Sequence, residues 1–230
     1  GVVMIKLAAG ASGSLSTSVG FLMQAVAKVD AVWPCLGITV GGTRVTLVGK
    51  NFVDDSPLVK FGESAAIEST LVTSSLVIVN APSHATGLTT VQLSNNKGAD
   101  YTTGGPDFVF HPAPKLSSVQ PSRGTAAGSA VVLITGEGFQ NSGFMTCRFG
   151  QNATVRALYV TSSFARCVTV MHGAGFVSLE VSNNGVDFSS NGVRHEYVAE
   201  TRSWSLSPSQ GPAYGGITVI VKGSTLTTET

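Results

Sequence analysis

Residues 121–136, Pro121-Ser-Arg-Gly124-Thr-Ala-Ala-Gly128-Ser-Ala-Val-Val132-Leu-Ile134-Thr-Gly136, decide how the whole chain is read, because their pattern is written three times. Pro34, Pro121 and Pro208 stand 87 residues apart. Seven residues after each comes a glycine (Gly41, Gly128, Gly215), and fifteen after each comes another (Gly49, Gly136, Gly223). Between the two glycines run Thr43-Arg-Val45-Thr-Leu47-Val48, Ala130-Val-Val132-Leu-Ile134-Thr135 and Ile217-Thr-Val219-Ile-Val221-Lys222. A β-branched run bounded by glycine is a strand signature, and self-similarity at a fixed period means an array of like modules.

Working outward, Phe52 answers to Phe139, and Phe61-Gly62 to Phe149-Gly150 after a one-residue shift. Ser94-Asn95-Asn96 answers to Ser182-Asn183-Asn184, and Asp100-Tyr101 to Asp187-Phe188. The repeat therefore divides the chain into whole copies at residues 29–113 and 114–199, with the first half of a further copy at 200–230. Val3, Ile5 and Leu7 alternate as Val177, Leu179 and Val181 do, so residues 1–28 read as the closing hairpin of a preceding copy, with Ala8-Ala9-Gly10 in place of the Asn-Asn turn. On this reading the chain is a window on a longer tandem array.

Within a copy the turn signals are frequent: Asp54-Asp55-Ser56-Pro57 and Asn80-Ala-Pro82 in the first, Gly136-Glu-Gly138 and Asn183-Asn184-Gly185 in the second. Asn-Gly is a strong hairpin signal because both residues tolerate positive φ. No segment of the copies sustains the apolar period of a helix. About seven short strands per copy predict an all-β chain of tandem immunoglobulin-like sandwiches.

Composition agrees. With 43% apolar residues and a formal charge of +1, the chain has neither the low hydrophobicity nor the high charge of a disordered segment. Only 12% of residues are charged, against about 25% in ordinary domains. Ser and Thr, roughly a fifth of the chain, build the solvent faces instead. No stretch reaches the roughly 20 apolar residues of a membrane-spanning helix: Val2-Val3-Met4-Ile5 stops at Lys6, and Phe21 to Val32 contains Gln24, Lys28 and Asp30. A signal-peptide reading, with Lys6 in the basic region and Ala25-Val26-Ala27 at the cleavage site, fails on Ser12, Ser14, Ser16, Thr17 and Ser18. Lys and Arg are scattered, so the basic footprint of a nucleic-acid binder is missing.

The stretch from Pro208 to Gly223 reads Pro-x-x-Gly-x-x-x-Gly-Gly-x-x-Val-x-Val-x-Gly, and resembles the opening of an IPT/TIG domain. Cys147-Arg-Phe149-Gly150, Cys167 and Val181-Ser-Asn-Asn-Gly185-Val-Asp187-Phe188-Ser189 are similar to the middle and closing portions of that family. The first copy departs from it at Leu36-Gly37-Ile38 and lacks both cysteines. The resemblance implies a non-catalytic module, as in large extracellular proteins that serve adhesion or form filaments, in plexin-like receptor ectodomains, or in Rel-type DNA-binding factors.

Three cysteines cannot all pair within the chain. Cys147 and Cys167 align with Val59 and Val79, as expected of two sites facing each other across a core, and a Cys147–Cys167 disulfide is the expectation; two buried thiols are the alternative. Closing a loop of about 20 residues is worth about 3 kcal/mol. Cys35 aligns with Ser122 and Ser209, which leaves it a lone thiol or paired outside the chain. Asn152-Ala153-Thr154 is the one N-glycosylation acceptor and falls in an expected turn. Gly49, Gly136 and Gly223 are read as closing their strands at a bulge or a positive-φ turn that excludes a Cβ.

Catalytic, metal and cofactor sites are not expected. His84, His111, His172 and His195 occupy no shared repeat position on this reading and lack His-x-x-x-His or Cys-x-x-Cys spacing. The pair Cys167 and His172 is too few for zinc. Gly136-Glu-Gly138 is a fragment of a dinucleotide fingerprint without its third glycine or helix. Asp100 and Asp187 recur, but calcium wants six to eight oxygens, so they read as turn-closing residues. The function expected is a semi-rigid rod in an extracellular filament, flagellar-hair-like appendage or adhesion protein at the cell surface, stiffened by the proline-bearing joint His111-Pro-Ala-Pro114-Lys. Its partners would be other subunits or copies of the same protein. A receptor stalk is the first alternative, and a DNA-binding domain is disfavoured by the near-neutral charge.

Overall fold

A computed structural model describes residues 2–6, 18–53, 55–199 and 204–223. Asp54, the Ala8-Ala9-Gly10 turn, Leu7 and the joint residues Glu200-Thr201-Arg202-Ser203 lie outside the described residues. Every regular element among those described is a strand. Two compact units result, the first made chiefly of residues up to Phe110 and the second chiefly of residues from His111 onward.

A short hairpin comes first, of β1 (Val2–Lys6) and β2 (Ser18–Leu22). The first sandwich contains β3 (Lys28–Trp33), β4 (Leu36–Ile38), β5 (Arg44–Lys50), β6 (Leu58–Phe61), β7 (Ile67–Glu68), β8 (Thr70–Thr73), β9 (Leu76–Asn80), β10 (Gly87–Ser94) and β11 (Asp107–His111). The second contains β12 (Lys115–Gln120), β13 (Arg123–Thr125), β14 (Val131–Glu137), β15 (Thr146–Phe149), β16 (Ala153–Arg156), β17 (Leu158–Thr161), β18 (Phe164–Val168), β19 (Gly175–Ser182) and β20 (Arg194–Val198). Nine elements per copy replace the seven expected. The strand preceding each Pro34-type turn resumes after it in the other sheet, and a two- to four-residue strand is added beside β6 and β15.

One sheet of the first sandwich runs β3-β5-β9-β8, the other β4-β11-β10-β6-β7. In the second they run β12-β14-β18-β17 and β13-β20-β19-β15-β16, the same order strand for strand. Register repeats too: Val45 faces Val79 as Val132 faces Cys167, and Val59 faces Leu93 as Cys147 faces Val181. The cause is alternation. Along β5, Val45 and Leu47 are buried while Arg44 and Val48 are exposed, and β14 buries Val132 and Ile134 in the same phase. The facing sheets enclose Phe52, Phe61, Phe108 and Phe110 in one core, and Phe139, Phe149, Tyr197 and Met145 in the other. Each such side chain contributes roughly 1.5–3 kcal/mol relative to exposure.

The last described element pair is β21 (Trp204–Ser207) with β22 (Ile220–Gly223). Its register, Ser207 opposite Ile220, is that of Trp33 opposite Thr46 and Gln120 opposite Leu133 moved along by the repeat. The hairpin of β1 and β2 matches the other end of a copy: Val3 faces Phe21 as Val177 faces His195. The peptide bonds preceding Pro34, Pro121 and Pro208 are all cis.

Candidate functional site

Cys147 on β15 and Cys167 on β18 lie in opposite sheets with Cα atoms 6.4 Å apart, and a disulfide joins them across the core. Val59 on β6 and Val79 on β9 occupy the same two places in the first sandwich, both buried. Cys35 is a free thiol, half-buried against the first core.

The recurring Ser-Asn-Asn turn closes through the same bonds in both copies. Ser94 Oγ donates to Asn96 Oδ1 at 2.8 Å and Ser182 Oγ to Asn184 Oδ1 at 3.0 Å. Asn96 Nδ2 donates to Asp100 Oδ2 at 3.0 Å, and Asn184 Nδ2 to Asp187 Oδ2 at 2.7 Å. The amide NH of each aspartate returns to the asparagine Oδ1, at 2.9 and 2.8 Å. The preceding asparagine reaches further: Asn95 Nδ2 donates to the Asn51 carbonyl at 2.7 Å and Asn183 Nδ2 to that of Gly138 at 2.8 Å. These residues therefore tie the turn to the loop after β5 or β14. Among the described residues no three His, Cys, Asp or Glu gather as a metal centre.

The glycines require a correction. Gly49 and Gly136 are the penultimate residues of β5 and β14 rather than strand ends, and neither has positive φ. A Cβ is excluded there by close approach: it would run into the carbonyl oxygen of Lys28 or Lys115 on the neighbouring strand and lie 2.6 Å from the ring of Phe52 or Phe139. A β-bulge does sit on the partner strand, between Val29 and Ala31 or Leu116 and Ser118. Gly223 ends β22.

The histidines require another. His84 and His172 do occupy one repeat position, concealed by the one-residue insertion that makes the local offset 88 rather than 87. His84 stacks on Phe110 at 4.6 Å and His172 on Tyr197 at 5.1 Å, and each Nδ1 meets the carbonyl of the next residue, at 2.7 and 2.9 Å. His195 is fully buried where the first sandwich has Phe108, edge-on to Phe149 and Tyr197. Burial holds its pKa below the ordinary histidine value, the Pro121 backbone and the Glu196 carboxylate opposing it. Burial likewise raises the Tyr197 phenol.

Each five-stranded sheet carries a cation over a ring on its outer face. Lys60 Nζ lies 4.6 Å from the centre of Tyr101, and the Arg148 guanidinium 3.9 Å from that of Phe188. Arg148 also pairs with Glu180 through Nε at 2.7 Å, whereas the first sandwich has Gln92, which donates to the Thr102 carbonyl at 3.1 Å. Asn152 is exposed in the turn between β15 and β16. A shallow concavity of about 500 Å³ in the first unit is lined by Met23, Leu93, Asn96, Asp100 and Tyr101 among others. Its one carboxylate, that of Asp100, is engaged by Asn96.

This geometry is that of a scaffold in duplicate, and family comparison agrees: the IPT/TIG domain model matches residues 27–110 and again 114–197. The chain belongs to the IPT/TIG domain family. Its two copies are tandem IPT/TIG domains of immunoglobulin-like fold. Fibrocystin-L of Mus musculus is 23% identical over 233 residues, covering 97% of this chain and 5% of its own length. Among solved structures, the full extracellular region of plexin A4, domains 1 to 10, superposes with a TM-score of 0.51 at 17% identity, over 80% of this chain and 16% of its own. The tandem IPT/TIG chain thus spans a small part of either relative. No helix among the described residues is long and apolar enough to cross a membrane.

Proposed function

We propose that this chain is a non-catalytic stretch of IPT/TIG repeats from a secreted or cell-surface protein, working as a semi-rigid rod in an extracellular filament, appendage or adhesion assembly. The observation that carries the reading is duplication: two sandwiches share strand order, register and turn chemistry. Function that resides in a pocket needs convergent polar groups in one place; what recurs here is the framework. The flanking hairpins belong in this reading to adjoining copies at 1–28 and 200–230, because β1 with β2 and β21 with β22 keep the registers of a copy's end and start.

An oxidising setting is supported by the disulfide, since such bonds persist outside the cytosol, and by a fibrocystin-like relative and the fold shared with a plexin extracellular region. Asn152, exposed on a turn, is the proposed carrier of an N-linked glycan. Electron microscopy of the native source with carbohydrate staining tests the reading. A polymer is expected; isolated monomers in the membrane fraction would favour a receptor stalk instead. Retention on DNA at physiological salt would count against both.

A further inference from the structure

The four-stranded sheet of the second sandwich turns one side to its core and the other to solvent. On the solvent side Val131 of β14 is 61% exposed and Leu158 of β17 64%, joined by Val160, Phe164 and Val168. They are neighbours: Val131 stands opposite Val168, and both Leu133 and Leu158 stand opposite Arg166. Contiguous exposed apolar surface of this kind marks interaction sites. The fold does not require it. The first sandwich, with the same strands and register, keeps apolar Val72 and Leu76 at the places of Val160 and Phe164 but carries Arg44, Asn80 and Thr70 at those of Val131, Val168 and Leu158.

Arg166 gives the face its chemistry. It is exposed between the two leucines, and its guanidinium makes no ion pair among the described residues, whereas Arg123 pairs with Glu196 and Arg148 with Glu180. The one carboxylate further along β14, Glu137, is 2.9 Å from Lys115. A guanidinium stays charged at any physiological pH, and covering an apolar face strips water from it, which is costly unless an acceptor replaces that water. A carboxylate does so in two parallel bonds. Arginine among large apolar groups is also the composition of interface hot spots.

We propose that this face docks a protein segment presenting one carboxylate flanked by apolar side chains, the carboxylate seated on Arg166. A second copy offering the same face does not fit, because a two-fold contact would bury both arginines with no carboxylate between them. The proposal rests on the reading of the chain as a module that works through protein contacts, and it names the chemistry of one such contact.

Panning a phage-displayed library of random linear peptides on the intact chain tests it, followed by titration of the enriched peptides. The expected peptides carry Asp or Glu between apolar residues and lose about tenfold or more in affinity against Arg166→Glu. Changing the peptide acid to Arg restores binding to that variant, while its thermal unfolding stays that of the parent. Enriched peptides without an acid, or binding indifferent to Arg166→Glu, would overturn the proposal. So would self-association of the parent in sedimentation that Leu158→Asp abolishes, which would make a second copy the occupant. A native source without polymers would remove the filament reading and leave these outcomes readable.

Discussion

The two IPT/TIG sandwiches differ where a shared fold leaves them free to differ. Strand order and register coincide, yet the first core joins its sheets through Val59 and Val79 where the second has a covalent bond. Phe108 in one is His195 in the other, and Lys60 over Tyr101 becomes Arg148 over Phe188 with a carboxylate added. The comparison teaches that alternation and turn geometry specify this topology, while the chemistry of individual side-chain pairs, in the core and on the outer face, is interchangeable so long as volume and polarity are satisfied.

The comparison breaks or sharpens under four experiments, each read by hydrogen exchange on the intact chain so that both modules report separately. Gly49→Val and Gly136→Val have the largest expected effect, about 3 kcal/mol or more, each in its own module, because backbone carbonyl and buried ring have nowhere to move. Unequal losses would show that the two close approaches are not equivalent. Next, Cys147→Ser with Cys167→Ser lowers the stability of the second module by about 3 kcal/mol. Cys147→Val with Cys167→Val recovers part of that by restoring the apolar pair of the first module. A reductant destabilises the second module alone.

Acid gives a smaller and one-sided effect. Burial holds the folded pKa of His195 below the ordinary histidine value of 6.5, so above that pH both states are neutral and its contribution to stability is full. As pH falls through 6.5 the unfolded chain takes the proton first, and stability declines until the folded pKa is passed. The expected slope is a fraction of the ~1.4 kcal/mol per pH unit that one full proton commands, confined to the second module and abolished by His195→Phe. A first module that declines equally over that range would contradict the assignment. Smallest is Arg148→Ala, expected to cost up to about 1 kcal/mol, with Lys60→Ala costing less for want of a carboxylate.

Much of this was legible along the chain. The offset of 87 residues located both modules, the Ser-Asn-Asn turns and the third Pro-Gly segment, because turns demand particular residues at particular steps. The valines at 59 and 79 placed Cys147 and Cys167 opposite one another from the repeat alone. Less visible was the kinship of His84 and His172, since one inserted residue slides the frame and a lone histidine carries no periodicity. The reason for Gly49 and Gly136 was also hidden. It lies in a carbonyl of another strand, and local sequence says nothing of what a distant strand brings near.

By itself, then, the sequence determined the repeat, the all-strand character and the phase of each strand, because these depend on periods of two and on turn residues a few positions apart. The tertiary structure alone decided how a strand broken at Pro34 or Pro121 divides between sheets, which carbonyl forbids a side chain, and that Val131, Leu158, Phe164 and Val168 surround one unpaired arginine. Arg166 is unpaired among the described residues, and the rest is set by sheet pairing between residues far apart in the chain, a geometry that a linear pattern does not record.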